Sequence, residues 1–135
     1  MHAVSDDYVL VVEDDPDMRE SMESVLSYAG HAIATVADGT EALTWLSGDR
    51  PHPCVIVLDL MMPGMNGFEL RARLRADPTL STIPVVVLTG AGNLADRKGA
   101  ELQAEILRKP IDLRDLLAAI HRHCAARIAR KLPAG

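Results

Sequence analysis

Five polar residues in this chain each follow closely on a short apolar run. Glu13 and Asp14 come after Tyr8 to Val12, Asp59 after Cys54 to Leu58, Thr89 after Val85 to Leu88, and Lys109 shortly after a weaker run, Ala104 to Leu107. If the runs are parallel strands, all five residues fall at the carboxyl edge of one sheet, where open α/β sheets bind ligands. Three carboxylates gathered there repel: at an effective dielectric near 20, two charges ~4 Å apart cost about 4 kcal/mol. A hard divalent cation with oxygen ligands relieves that repulsion, and Mg²⁺ suits such a site because it needs only one or two carboxylates plus phosphate oxygens. A carboxylate, a hydroxyl and an ammonium around a magnesium site point to phosphoryl chemistry, which needs positioning and charge neutralisation above all.

The elements that must position these groups are legible in the periodicity. The runs Tyr8 to Val12, Ala32 to Val36, Cys54 to Leu58, Val85 to Leu88 and Ala104 to Leu107 are rich in β-branched residues and read as strands. The first, third and fourth are apolar almost without alternation, which predicts burial on both faces of a parallel sheet; the second and fifth read as edges. Asp15-Pro16 predicts a capped first helix with Met18, Met22, Val25, Leu26 and Ala29 at helical spacing, ended by Gly30. A second helix starts at Asp38-Gly39 and runs to Gly48, and a third runs from about Gly67 to Asp77, where Pro78 stops it. A fourth, between Asn93 and Leu102, is interrupted by Gly99. The fifth starts at Asp112, with Asp115 as an acidic variant of the capping box and Leu113, Leu116, Leu117, Ile120 and Cys124 on one face. Arg127, Arg130 and Lys131 suit its C-terminal dipole. The alternation predicts an α/β fold with right-handed crossovers.

Composition narrows the class. A chain of 135 residues with 48% apolar and 24% charged residues fits one globular domain, with a core over about 8–130 and short tails. The net charge of -5, with no basic stripe before the last helix, argues against direct nucleic-acid binding and for a protein partner. No apolar stretch approaches the ~20 residues of a membrane helix, and Met1 to Asp7 lacks a signal-peptide core, so a cytoplasmic location is expected. Cys54 and Cys124 read as separate small buried hydrophobes, in keeping with a reducing cytosol. Arg71, Arg73 and Arg75 alternate around a solvated helix without forming one patch, His121 and His123 share no ligand face, and His2, His31 and His52 fall in loops or at termini.

In the same order along the chain, Val11-Val12-Glu13-Asp14-Asp15, Val57-Leu58-Asp59-Leu60-Met61-Met62-Pro63-Gly64-Met65-Asn66-Gly67, Leu88-Thr89-Gly90 and Lys109-Pro110 resemble the motifs of response-regulator receiver domains of two-component signalling, including the chemotaxis receivers. The resemblance covers Tyr8 to about Arg130. It implies a flavodoxin-like, doubly wound, five-stranded parallel sheet of order 2-1-3-4-5 with five helices. It implies that Asp59 accepts a phosphoryl group from a phosphohistidine. Asp14, Asp59 and the Met61 carbonyl would ligate Mg²⁺, with Glu13 acting through water. Thr89 and Lys109 would contact the phosphoryl oxygens, and Lys109-Pro110 would be cis. Implied partners are a histidine kinase or histidine phosphotransfer protein and a downstream protein reading the fourth-helix, fifth-strand, fifth-helix face. The chain would be a monomer or a weak phosphorylation-dependent dimer. Enzymatic activity would be limited to Mg²⁺-dependent self-phosphorylation and self-dephosphorylation.

Two departures from the family pattern matter. Ile106 stands where the family usually has an aromatic residue, so a coupled aromatic rotation is not expected; and Glu13 replaces the commoner aspartate. Met61 and Ala91 cannot orient a water, which predicts slow self-dephosphorylation. The alternatives weighed are an aspartyl-nucleophile phosphohydrolase, which would want an acid where Met61 stands, and a phosphorylation-independent interaction domain, which would want the acceptor or lysine lost. Gly90-Ala91-Gly92-Asn93-Leu94-Ala95 fits a dinucleotide fingerprint only weakly, because it follows a fourth rather than a first strand.

Overall fold

Runs of valine, leucine and isoleucine place five strands side by side, and the polar, glycine-marked segments between them return the chain over the faces of the sheet. The computed structural model describes residues 7–60, 67–90 and 104–131. The elements are β1 (Tyr8–Val12), α1 (Pro16–Tyr28), β2 (Ala32–Val36), α2 (Gly39–Leu46), β3 (Val55–Asp59), α3 (Gly67–Ala76), a 3-10 turn (Leu80–Thr82), β4 (Val85–Thr89), β5 (Glu105–Arg108) and α4 (Leu113–Lys131). The helix expected between Asn93 and Leu102 lies outside the described residues, so α4 is the fifth helix of the sequence reading. The sheet has the order β2-β1-β3-β4-β5, with every pair parallel. Strands β1, β3 and β4 are buried along their whole length, whereas the edges β2 and β5 are mostly half-exposed. Among the described residues no helix is long and apolar enough to cross a membrane.

Strand alternation sends side chains into two apolar layers. Leu10, Val12, Ile56, Leu58 and Val87 meet Leu70 and Leu74 of α3 on one side, while Val9, Val11, Val57 and Val86 meet Leu26 of α1 and Ile120 of α4 on the other. Each fully buried side chain of this size contributes about 1.5–3 kcal/mol of transfer free energy. The helix starts behave as their residues dictate. The Asp15 side chain accepts from the Asp17 N–H ahead of Pro16 at 2.9 Å, and Asp38 accepts from the Glu41 N–H at 2.8 Å. Gly30, with φ +96°, closes α1: its N–H donates to Ser27 O, and the His31 N–H donates to Leu26 O, both at 3.0 Å.

Gly67 opens α3 where its N–H donates to Leu60 O at 2.9 Å. A Cβ at this position would lie 2.7 Å from the Leu60 Cα, a backbone atom that cannot swing aside. Gly67→Ala is therefore expected to lower stability by about 1–3 kcal/mol in urea denaturation, through displacement of the segment that follows Asp59.

At the amino edge of the sheet, Trp45 of α2 donates its indole N–H to the Tyr8 hydroxyl at 3.0 Å. That hydroxyl in turn donates to Pro51 O at 2.6 Å, and the Arg50 guanidinium stacks 4.0 Å from the Trp45 ring.

Four expectations are corrected. Cys54 and Cys124 form a disulfide with Cα atoms 5.1 Å apart, because the residue before β3 and the inner face of α4 meet in the same apolar layer. Closing a separation of 70 residues restricts the unfolded chain by about 4 kcal/mol in the chain-entropy account. Arg71 is buried rather than solvated; burial, then the neighbouring Arg75 charge, lowers its pKa. Leu113 is exposed, because the first turn of α4 projects past the sheet before Leu116, Ala119 and Ile120 reach the core. Arg127, expected to interact with the helix dipole, instead donates to His52 O and lies 3.7 Å from Asp7.

Candidate functional site

Backbone ladders deliver the reactive side chains to one edge. The Glu13 N–H donates to Val36 O at 3.1 Å, extending the β1–β2 ladder one residue past the strand. The Leu60 N–H donates to Leu88 O at 2.9 Å, which fixes the chain leaving Asp59 against β4. The Lys109 N–H donates to Thr89 O at 2.7 Å, so lysine and threonine leave adjacent strands at the same level. The turn after β1 is braced by Arg19 of α1, which donates to Glu13 O at 2.9 Å and to Asp14 O at 3.1 Å.

Carboxylate oxygens of Glu13, Asp14 and Asp59 all lie within 4.8 Å of one another. This donor set fits a hard divalent cation, and among the described residues it is the one group of three or more acidic, histidine or cysteine side chains close enough to hold a metal. From the opposite side the Lys109 ammonium reaches Asp59 Oδ2 at 3.1 Å, with 37% of the lysine side chain exposed and 7% of the aspartate's. Thr89, fully buried as a residue, stands at the end of β4. Lys109-Pro110 is cis. Asp59 is thus a nearly buried carboxylate, opposed by the Lys109 ammonium and crowded by Glu13 and Asp14.

The crowding shows in Glu13, which is 2% exposed. Its pKa is raised from an ordinary value near 4.5 to about 7, chiefly by burial and further by the Asp59 charge, against the lowering effect of the Asp15 N–H that it accepts. A buried acid that resists ionisation is what a cation site looks like before its charge is compensated.

Of the residues singled out from the sequence, Glu13, Asp14, Asp59 and Lys109 converge, and Thr89 adjoins Lys109 through the ladder. Met61, Ala91 and most of the dinucleotide-like stretch lie outside the described residues. Ile106 is half-buried and packs against the apolar layer that includes Val87. Arg19 was not anticipated. Its signal is a basic residue on the first turn of α1, where a long side chain can fold back over the acidic turn.

With this geometry in view, comparison with known proteins is specific. The model of the response regulator receiver domain matches residues 9–121. The probable transcriptional regulator ycf27 of Cyanophora paradoxa is 40% identical over 114 residues, 83% of this chain and 46% of the regulator. The chain thus spans about half the length of that relative. Among solved structures, the signal receiver domain of a signal transduction histidine kinase from Syntrophus aciditrophicus superposes with a TM-score of 0.82 at 29% identity, covering 96% of each chain. The receiver domain of sensor histidine kinase PA1611 from Pseudomonas aeruginosa PAO1, which has a magnesium ion coordinated in its active site cleft, superposes with a TM-score of 0.77 at 25% identity, covering 88% of this chain and 98% of that one. Motif order, sheet order and a family match running from β1 into the last helix agree, and the chain belongs to the response regulator receiver domain family.

Proposed function

We propose that Asp59 is the phosphoacceptor of a two-component or phosphorelay pathway, taking its phosphoryl group from a phosphohistidine on a histidine kinase or histidine phosphotransfer protein. The observation that carries this reading is the Lys109 ammonium 3.1 Å from Asp59 Oδ2, with Glu13 and Asp14 in the same cluster. A carboxylate oxygen of Asp59 attacks phosphorus, the phosphohistidine nitrogen leaves, and Lys109 neutralises charge on the phosphoryl oxygens. Thr89 supplies a hydroxyl donor from β4, and Arg19 holds the acidic turn in register. Mg²⁺, which the magnesium-bearing PA1611 domain and the carboxylate set here both favour, would be held by Asp14, Asp59 and the Met61 carbonyl with Glu13 through water, and would supply neutralising charge. The added phosphoryl charge of about -1.5 to -2 biases the surface read by a downstream protein. We place the chain in the cytoplasm, acting as a monomer or weak phosphorylation-dependent dimer without direct contact to nucleic acid.

Incubation with acetyl phosphate and Mg²⁺, followed by intact mass measurement, is expected to show one added phosphoryl group. No adduct at saturating donor would sink the reading.

The raised Glu13 pKa adds a pH signature. Its folded value lies above its unfolded one, so this contribution favours the fold below about pH 4.5 and is lost as pH rises through about 7. The loss is on the order of 3 kcal/mol at most. Because Mg²⁺ favours the ionised cluster, it is expected to raise urea-unfolding stability more at pH 8 than at pH 6. An equal or reversed increment would contradict the metal assignment.

A further inference from the structure

We propose that Cys54 and Cys124 are a reversible thiol–disulfide site, opened by two thiolates of a small thiol reductant in turn, which locks and releases the C-terminal helix on the strand that ends in Asp59. The inference rests on the cytoplasmic phosphoacceptor reading for its setting. In a reducing compartment a disulfide that forms is usually transient and redox-sensing rather than a permanent staple.

Position is the first argument. Cys54 immediately precedes β3, whose last residue is Asp59, and Cys124 lies on α4, so one bond ties the strand bearing the acceptor to the last helix. The fold has other means of holding that helix. Leu116, Ala119 and Ile120 are buried against the sheet, Arg127 donates to His52 O, and Arg122 pairs with Glu105 at 2.9 Å. Opening the disulfide therefore leaves the helix docked but loosens it, as a switch requires.

Access is the second argument. The two cysteines are nearly buried as residues, yet each lines a different surface cavity at the sheet edge opposite Asp59. Cys54 lines one of about 270 Å³ with His52, Thr82 and Pro84, and Cys124 lines one of about 310 Å³ with Asp7, His31 and His121. Each cavity brings solvent up against one of the two cysteines. His31, whose pKa is lowered by burial first and then by the neighbouring His121, lines the same cavity as Cys124.

The chemistry balances. One thiolate of the reductant attacks Sγ of Cys124; the Cys54–Cys124 bond breaks, a mixed disulfide forms, and Cys54 leaves as a thiolate that takes a proton. The second thiolate of the reductant then displaces Cys124, so the chain gains two electrons and two protons while the reductant becomes a disulfide.

The test equilibrates the full chain without oxygen in a graded series of reduced and oxidised glutathione, quenches it, alkylates with iodoacetamide and measures intact mass. The expected result is no alkylation at the oxidised end, two adducts at the reduced end and a transition within the series. A chain unmodified throughout would be permanently cross-linked, and one doubly modified throughout would have no such bond; either overturns the proposal. Hydrogen exchange in 113–127 is expected to quicken at least ~tenfold on reduction, with Tm falling by about 10 °C. In Cys54→Ser and in Cys124→Ser both readings should ignore the redox buffer. Identical exchange in the two redox states of the native chain would also overturn the lock. Failure of acetyl phosphate to label Asp59 in either redox state would instead remove the phosphoacceptor reading, leaving the glutathione titration to stand by itself.

Discussion

Asp59→Asn takes up no phosphoryl group from acetyl phosphate and Mg²⁺ under conditions that label the native chain fully. The amide keeps the size and shape of the side chain, so the fold survives, but it is not a competent nucleophile toward phosphorus. The same substitution removes one of three clustered negative charges from a residue that is 5% exposed. Without metal at pH 8, the variant is therefore expected to unfold at a urea concentration no lower than the native chain, since repulsion among acids ~4 Å apart costs about 4 kcal/mol per pair at an effective dielectric near 20. Its Glu13 loses a charged neighbour that helps to raise its pKa, so ionisation there becomes easier. Mg²⁺, for its part, should stabilise the variant much less than the native chain. Labelling at the native rate would show that phosphate is carried elsewhere.

Lys109→Ala produces the second large effect. The ammonium 3.1 Å from Asp59 Oδ2 is the cation facing the cluster, and during transfer it would meet the charge spreading over the phosphoryl oxygens. Losing a preorganised donor of this kind is expected to slow phosphorylation by roughly 10²–10³-fold. Stability without metal should fall, because the Asp59 side chain is only 7% exposed and loses the cation that opposes it, and Mg²⁺ should restore it. Magnesium affinity should move in the opposite sense to rate. With the competing cation gone, the acids attract Mg²⁺ more strongly, so calorimetric titration is expected to show tighter binding alongside slower chemistry. A variant slow only because it had lost its metal would show weaker binding, which separates the two causes.

The central strands were legible because burial on both faces leaves unbroken apolar runs, and Tyr8–Val12 matches its expected bounds, as does the edge strand Ala32–Val36. The third and fifth strands each lie one residue later, Val55–Asp59 instead of Cys54 to Leu58 and Glu105–Arg108 instead of Ala104 to Leu107, since an apolar run marks burial whereas the ladder with neighbouring strands sets where pairing begins and ends. Glu13, Asp14, Asp59 and Lys109 could be placed together in advance because parallel strands carry their ends to a common edge. The Cys54–Cys124 pairing was missed for the converse reason. It depends on how far α4 travels back across the sheet, a tertiary distance that no local pattern encodes. Arg71 and Leu113 failed in opposite directions for one reason: helical periodicity shows which residues share a face, but the position of the neighbouring layer decides how much of that face is covered.

The hydrogen-bonded, guanidinium-capped setting of Trp45 has a practical corollary, because it is the chain's single tryptophan. The tryptophan fluorescence of this protein, excited selectively near the red edge of its absorption, originates at one spot, beside the first residue of β1 and a whole strand's length from Asp59. Emission should then track global unfolding faithfully while staying nearly silent during phosphate uptake, so anyone following the switch optically would need a second fluorophore introduced at the carboxyl edge.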